Sequence, residues 1–142
     1  MNGRIPRLQP GEKSRSVPDI EMRIGRVTAD GRAQVYVSVT GPSGVEEDVD
    51  ALLDTGFNGT LALPPERIAA LGLRQRSKTI AVLASGEKRH VPTYRATIQF
   101  GMKEQTALIV EAGEPLVGMA LMWGCNLQIE CVNGGRVVMN ER

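Results

Sequence analysis

Ala33, Val35, Val37 and Val39 alternate with Gln34, Tyr36, Ser38 and Thr40. Successive side chains of an extended strand point to opposite faces, so this spacing gives one apolar face and one polar face. In a helix the same valines would be spread around the circumference and would share no face. The stretch is a half-buried strand, and the rest of the chain has to supply a layer that covers the valines.

The neighbouring segments repeat the pattern. Glu21–Thr28 reads as a strand ahead of an Ala29-Asp30-Gly31 turn. Gly41-Pro42-Ser43-Gly44 breaks the chain, and Val45–Leu53 is a third strand that runs into Asp54-Thr55-Gly56. Thr60–Leu63 is short and apolar. Pro64-Pro65-Glu66 then opens a helix that ends near Leu71, with Gly72 placed as its C-terminal cap. Lys78–Leu83 and Val91–Phe100 flank Ala84-Ser85-Gly86-Glu87 and make a long hairpin. Gly101–Glu104 turns into Gln105–Val110, and Pro115–Val117 is a brief strand, with room for a helical turn at Met119–Trp123. Asn126–Val132 and Arg136–Met139 form a last hairpin around Asn133-Gly134-Gly135. Many short strands and a single clear helix predict an all-β barrel or sandwich, not an α/β fold with parallel strands.

Residues 1–19 are rich in Pro, Gly, Ser, Arg and Lys and lack periodicity, so they read as a flexible tail ahead of one domain over residues 20–142. A chain of 142 residues is long enough for one domain with a real core and short for two. A net charge of +1 gives no electrostatic case for nucleic acid or an acidic membrane surface. No stretch reaches the roughly 20 apolar residues that span a bilayer, and the first residues carry no apolar run of a signal peptide. Cys125 and Cys131 fall on one expected strand, where an extended backbone holds them about 20 Å apart, too far for a disulfide. Two free thiols fit a reducing compartment, which points to the cytoplasm.

Ala51-Leu52-Leu53-Asp54-Thr55-Gly56 carries the chemical signal. An apolar strand delivers a carboxylate to a turn, and a glycine two residues on lets another backbone come close. Taken alone, Asp-Thr-Gly is an ordinary turn at a strand end. About sixty residues downstream, however, Leu116-Val117-Gly118 follows the helix and the long hairpin. In this order and spacing the chain resembles the retropepsin-like aspartic peptidases. It is most similar to small bacterial members, whose motif region reads much like Leu53-Asp54-Thr55-Gly56-Phe57-Asn58-Gly59. The resemblance covers roughly Arg23 to Met139.

The resemblance implies a closed all-β barrel with one short helix that works as a two-fold homodimer on polypeptide substrates. It assigns Asp54 as the catalytic aspartate. It makes Thr55 the residue whose hydroxyl locks the two active-site loops across the dimer axis, and Gly56 the position where substrate backbone passes closely. Asn58 matches a substrate main-chain contact that viral members usually make with aspartate. Leu116, Val117 and Gly118 match the segment behind the active-site loop, and the tip Ala84, Ser85, Gly86 and Glu87 matches the flap. Departures from the viral pattern bear on substrate: Phe57 replaces a small residue and reshapes the cleft, Asn58 removes a charge, and the flap holds one glycine and no tyrosine.

Hydrolysis by such a site uses one carboxylate as base on water and another as acid on the peptide carbonyl oxygen. Two carboxylates at close range share a proton and titrate as a unit. The other aspartates are Asp19, Asp30, Asp48 and Asp50, and none precedes Thr-Gly or Ser-Gly, so the second carboxylate is that of another copy of Asp54. No cofactor or metal is expected. His90 beside Lys88 and Arg89 reads as a surface residue, and Glu46, Asp48 and Asp50 as a solvated strand face. The class left open beside an active endopeptidase is a catalytically silent module of the same fold that dimerises or binds extended peptides by strand pairing.

Overall fold

The computed structural model describes residues 21–82 and 85–140. The expected tail, residues 1–19, lies outside them, as does Ala84 of the hairpin tip. Ten strands and two helices follow one another as β1 (Glu21–Val27), β2 (Ala33–Thr40), β3 (Glu46–Leu53), β4 (Leu61–Leu63), α1 (Pro65–Ala70), β5 (Gln75–Val82), β6 (Lys88–Phe100), β7 (Lys103–Glu111), β8 (Leu116–Val117), α2 (Met119–Met122), β9 (Asn126–Ile129) and β10 (Arg136–Asn140).

All the strands belong to one sheet in the order β5-β6-β7-β4-β8-β3-β2-β1-β10-β9. A further pairing of β6 with β2, from Ser38 opposite Gln99 to Thr40 opposite Thr97, bends six of these strands into a partial ring. The long hairpin of β5 and β6 and the β9–β10 hairpin extend from it. The expected closed barrel is thus corrected to a ring over part of the sheet. The sheet is mostly antiparallel, as expected, but mixed: β8 runs parallel to β3 and β4 runs parallel to β7. Alternation along a strand says which face is buried and is silent about which strands lie side by side. Parallel neighbours need a crossover, and here the chain between β3 and β8 supplies one.

The ring wraps the apolar faces. Val35, Val37 and Val39 are buried as their alternation requires, and they meet Val49 and Ala51 of β3 and Ile98 and Phe100 of β6 in one core cluster. Leu61, Leu63, Leu71, Ile109 and Leu121 complete it, each fully buried. A side chain of this size contributes roughly 1.5–3 kcal/mol when it leaves water. Helix α1 starts at Pro65, whose fixed φ suits a first helical position. It stops where Gly72 takes φ +66°, a left-handed conformation that favours glycine. The Gly72 N–H donates to the Ala69 carbonyl at 3.0 Å and the Leu73 N–H to the Ile68 carbonyl at 3.2 Å, and Ile68 and Leu73 are both buried. The second helix, α2, forms where room for a turn was read, so the described residues hold two short helices, not one. Cys125 and Cys131 flank β9 and do not lie on it, and both thiols are free.

Candidate active site

Strand β3 ends at Leu53 and hands the chain to Asp54, and β8 is the strand that holds this exit in place. Leu52 lies opposite Leu116 and Leu53 opposite Val117 in the parallel ladder. The Leu52 N–H donates to the Pro115 carbonyl and the Asp54 N–H to the Val117 carbonyl, each at 2.9 Å. The turn is closed by the Phe57 N–H, which donates to the Asp54 carbonyl at 3.1 Å. Within it the Gly56 N–H donates to Oδ1 of Asp54 at 2.9 Å. That bond aims the carboxylate and leaves its other oxygen without an intrachain donor among the described residues. No cationic side chain pairs with it there either. Asp54 is half-buried, and Thr55, Gly56 and Asn58 are exposed.

The far side of the loop is clamped by the start of α2. The Gly118 N–H donates to the Thr60 carbonyl at 3.0 Å, the Met119 N–H to the Phe57 carbonyl at 2.8 Å and the Ala120 N–H to the Gly59 carbonyl at 3.1 Å. The first N–H groups of a helix have no partner inside it, so the loop supplies acceptors that α2 lacks. Gly118 has φ −103°, which any residue adopts, so the demand for glycine here is one of space. A Cβ at that position would lie 2.2 Å from the Gly59 carbonyl oxygen and 2.7 Å from that of Phe57. The Phe57 ring packs over the same two glycines: its atoms would stand 2.6 Å from a Cβ at either Gly59 or Gly118.

Asp54, Gly56, Leu116, Val117 and Gly118, named from sequence, therefore belong to one hydrogen-bonded unit, with Thr55 in the turn between Asp54 and Gly56. Asn58 sits exposed on the same loop. Ser85 and Gly86 occupy the tip of the β5–β6 hairpin, where the Glu87 N–H donates to Oγ of Ser85 at 3.3 Å, and no hydrogen bond among the described residues joins them to the Asp54 loop. Two cavities border the unit. One of about 660 Å³ is lined by Leu52, Leu53 and Thr55 together with Ile129, Cys131 and Val132. A smaller one of about 230 Å³ lies between Phe57, Thr60 and Leu61 of the loop side and Thr79, Leu108 and Val110 of the hairpin side. Thr93 also lines it, buried, with its hydroxyl 2.7 Å from that of Ser77. Sequence reasoning did not single out Thr60, Thr79, Leu108 or Val110. Thr93, Leu108 and Val110 share one face of the β6–β7 ladder, a fact that becomes visible only once the register is known.

No family model matches the chain, and no curated protein matches it. Among solved structures it is similar to a retropepsin-like aspartic protease from Rickettsia conorii, with a TM-score of 0.61 at 18% sequence identity over 89% of this chain and 94% of that one. The chain has the retropepsin-like fold of the aspartic proteases.

Proposed function

We propose that this chain is one half of an aspartic endopeptidase, in which two copies each contribute Asp54 to a shared site. One observation carries the reading. The Asp54 backbone is held by β8, and the loop that follows it is clamped at Phe57, Gly59 and Thr60 by the start of α2, while the Asp54 carboxylate accepts one N–H and pairs with no cation among the described residues. A carboxylate so fixed and so free suits work on water. In the mechanism one Asp54 takes a proton from water as the water oxygen attacks the peptide carbonyl carbon. The other, protonated, gives its proton to the carbonyl oxygen. Collapse of the tetrahedral species breaks the C–N bond, with a proton passing to the leaving nitrogen. The two carboxylates share one proton, because like charges at close range do not both ionise.

The second copy has a surface to cover. Thr55 borders the larger cavity beside Val132, which is 63% exposed, and β9, the last strand of the sheet, lines its other wall through Ile129. Thr55 meets its counterpart across the two-fold axis in this reading. The smaller cavity beside Phe57 takes a substrate side chain, Gly56 and Asn58 contact substrate main chain, and the Ala84–Glu87 tip closes over it.

Asp54→Asn keeps the shape of the side chain and removes its acid–base chemistry. The variant is expected to retain the circular dichroism of the native chain and to lose cleavage of denatured casein. Loss of a group central to catalysis costs about 10⁴-fold or more. Casein cleavage that persists in Asp54→Asn, in a preparation free of host proteases, rules the mechanism out. A native chain inactive from acidic to neutral pH points instead to a silent module that binds peptides by strand pairing.

A further inference from the structure

Away from the Asp54 loop, three arginines gather at one concavity. Arg74 lies just ahead of β5, Arg76 at the irregularity of β5 between Gln75 and Ser77, and Arg95 on β6. With Pro42, Thr97 and Thr106 they line a cavity of about 290 Å³. Thr97 and Thr106 face each other across the β6–β7 ladder, so two hydroxyls lie in its wall.

Arg32, Arg67, Arg89 and Arg136 each hold a carboxylate. Arg74, Arg76 and Arg95 hold none among the described residues, and none of the three makes a side-chain hydrogen bond there. Among the described residues the acid tied to the rim by a hydrogen bond is Glu46, whose carboxylate accepts the Thr40 hydroxyl at 3.3 Å. Counted against three guanidinium groups it leaves an excess of two positive charges, in a chain whose whole net charge is +1. Like charges held together repel, and a bound anion relieves that repulsion. Guanidinium groups donate in a fork that matches the paired oxygens of a phosphate. The cavity is at the bottom of the range for small-molecule pockets, about 300–1,000 Å³, and has room for a phosphate group. A single carboxylate would leave half of the excess charge uncancelled.

We infer that this concavity is a phosphate-binding site whose ligand is a dianionic phosphate group, either free or carried on a phosphorylated side chain. Its lining shares no residue with the two cavities beside the Asp54 loop, and the assignment does not depend on peptidase activity.

Calorimetric titration at low ionic strength tests it, with inorganic phosphate in one arm and a short peptide bearing one phosphoserine in the other. Succinate and matched chloride serve as controls. Binding of phosphate or of the phosphopeptide is expected, and tighter binding of the peptide identifies a protein-borne ligand. Arg95→Gln is expected to weaken binding about tenfold, the loss of one charge-assisted contact, and Arg74→Gln and Arg76→Gln repeat the test. Lys78→Gln removes the same charge from β5 outside the cavity and should leave binding intact, as should Asp54→Asn. Three results overturn the assignment: silence of both phosphate probes at millimolar concentration, equal binding of succinate, or binding unchanged in folded Arg→Gln variants.

Discussion

Asp54 and Gly118 shape the candidate site through different physics. Asp54 is held through its backbone and offers its carboxylate, whereas Gly118 matters for what it lacks. Gly118→Ala puts a methyl against two carbonyl oxygens that themselves accept bonds from α2. Overpacking of this kind typically costs about 1–3 kcal/mol. The expected outcome is a lower urea midpoint at unchanged slope. Gly113→Ala, where an added Cβ meets nothing within 4 Å, should leave the midpoint in place. The placing of Asp54 in a turn at the end of a strand was legible from sequence because the motif is contiguous. The role of Gly118 was legible only as part of an order of motifs. Its reason lies in the carbonyls of Phe57 and Gly59, about sixty residues away, and local sequence does not encode such a contact. Phe57 was read as a residue that narrows or reshapes the cleft; its ring lines the smaller cavity and packs on Gly59 and Gly118.

Among the elements, those with strong internal pattern were legible and those defined by their neighbours were not. The valine face of β2 and the Pro start and Gly stop of α1 stand as read. Strand β8 is two residues long, too short for any period, and its parallel place beside β3 follows from tertiary pairing alone. The β9–β10 hairpin carries a prediction of its own. Oε1 of Glu130 accepts the Arg136 backbone N–H at 2.8 Å and the Arg136 Nε–H at 3.1 Å. The backbone N–H first, and the guanidinium after it, hold the Glu130 carboxyl below its ordinary value of 4.5. A carboxylate with a lowered folded-state pKa adds stability that is present above the unfolded value. That stability is lost as pH falls through the folded one. The hairpin should therefore loosen below pH 4.5, seen as a shift of the Arg136 amide resonance. Glu130→Gln should abolish that titration while the rest of the spectrum stays unchanged.

At the scale of the whole molecule the described strands form one sheet around a shared core. Leu61 sits fully buried on β4, between β7 and β8, within the ring and behind the Asp54 loop. Leu61→Ala is expected to cost about 2–5 kcal/mol and to lower the thermal transition of the entire domain, recorded by calorimetry. If two copies make one site, specific activity should fall on dilution faster than enzyme concentration does. Mixed dimers with a single Asp54→Asn chain should be silent, since one carboxylate does not serve as acid and base together. Activity proportional to concentration down to the lowest level measured would mean that a single chain suffices. The bond from Asp54 to Val117 has one more consequence, which concerns time. The partners lie about sixty residues apart, so a loop of that length must close before the turn is secured. Contacts so distant in sequence slow folding. During synthesis the chain carries its aspartate long before the residues that brace it exist. A half-made chain is thus a chain without a working loop, and the order of translation itself delays the assembly of the carboxylate's support until β8 has emerged.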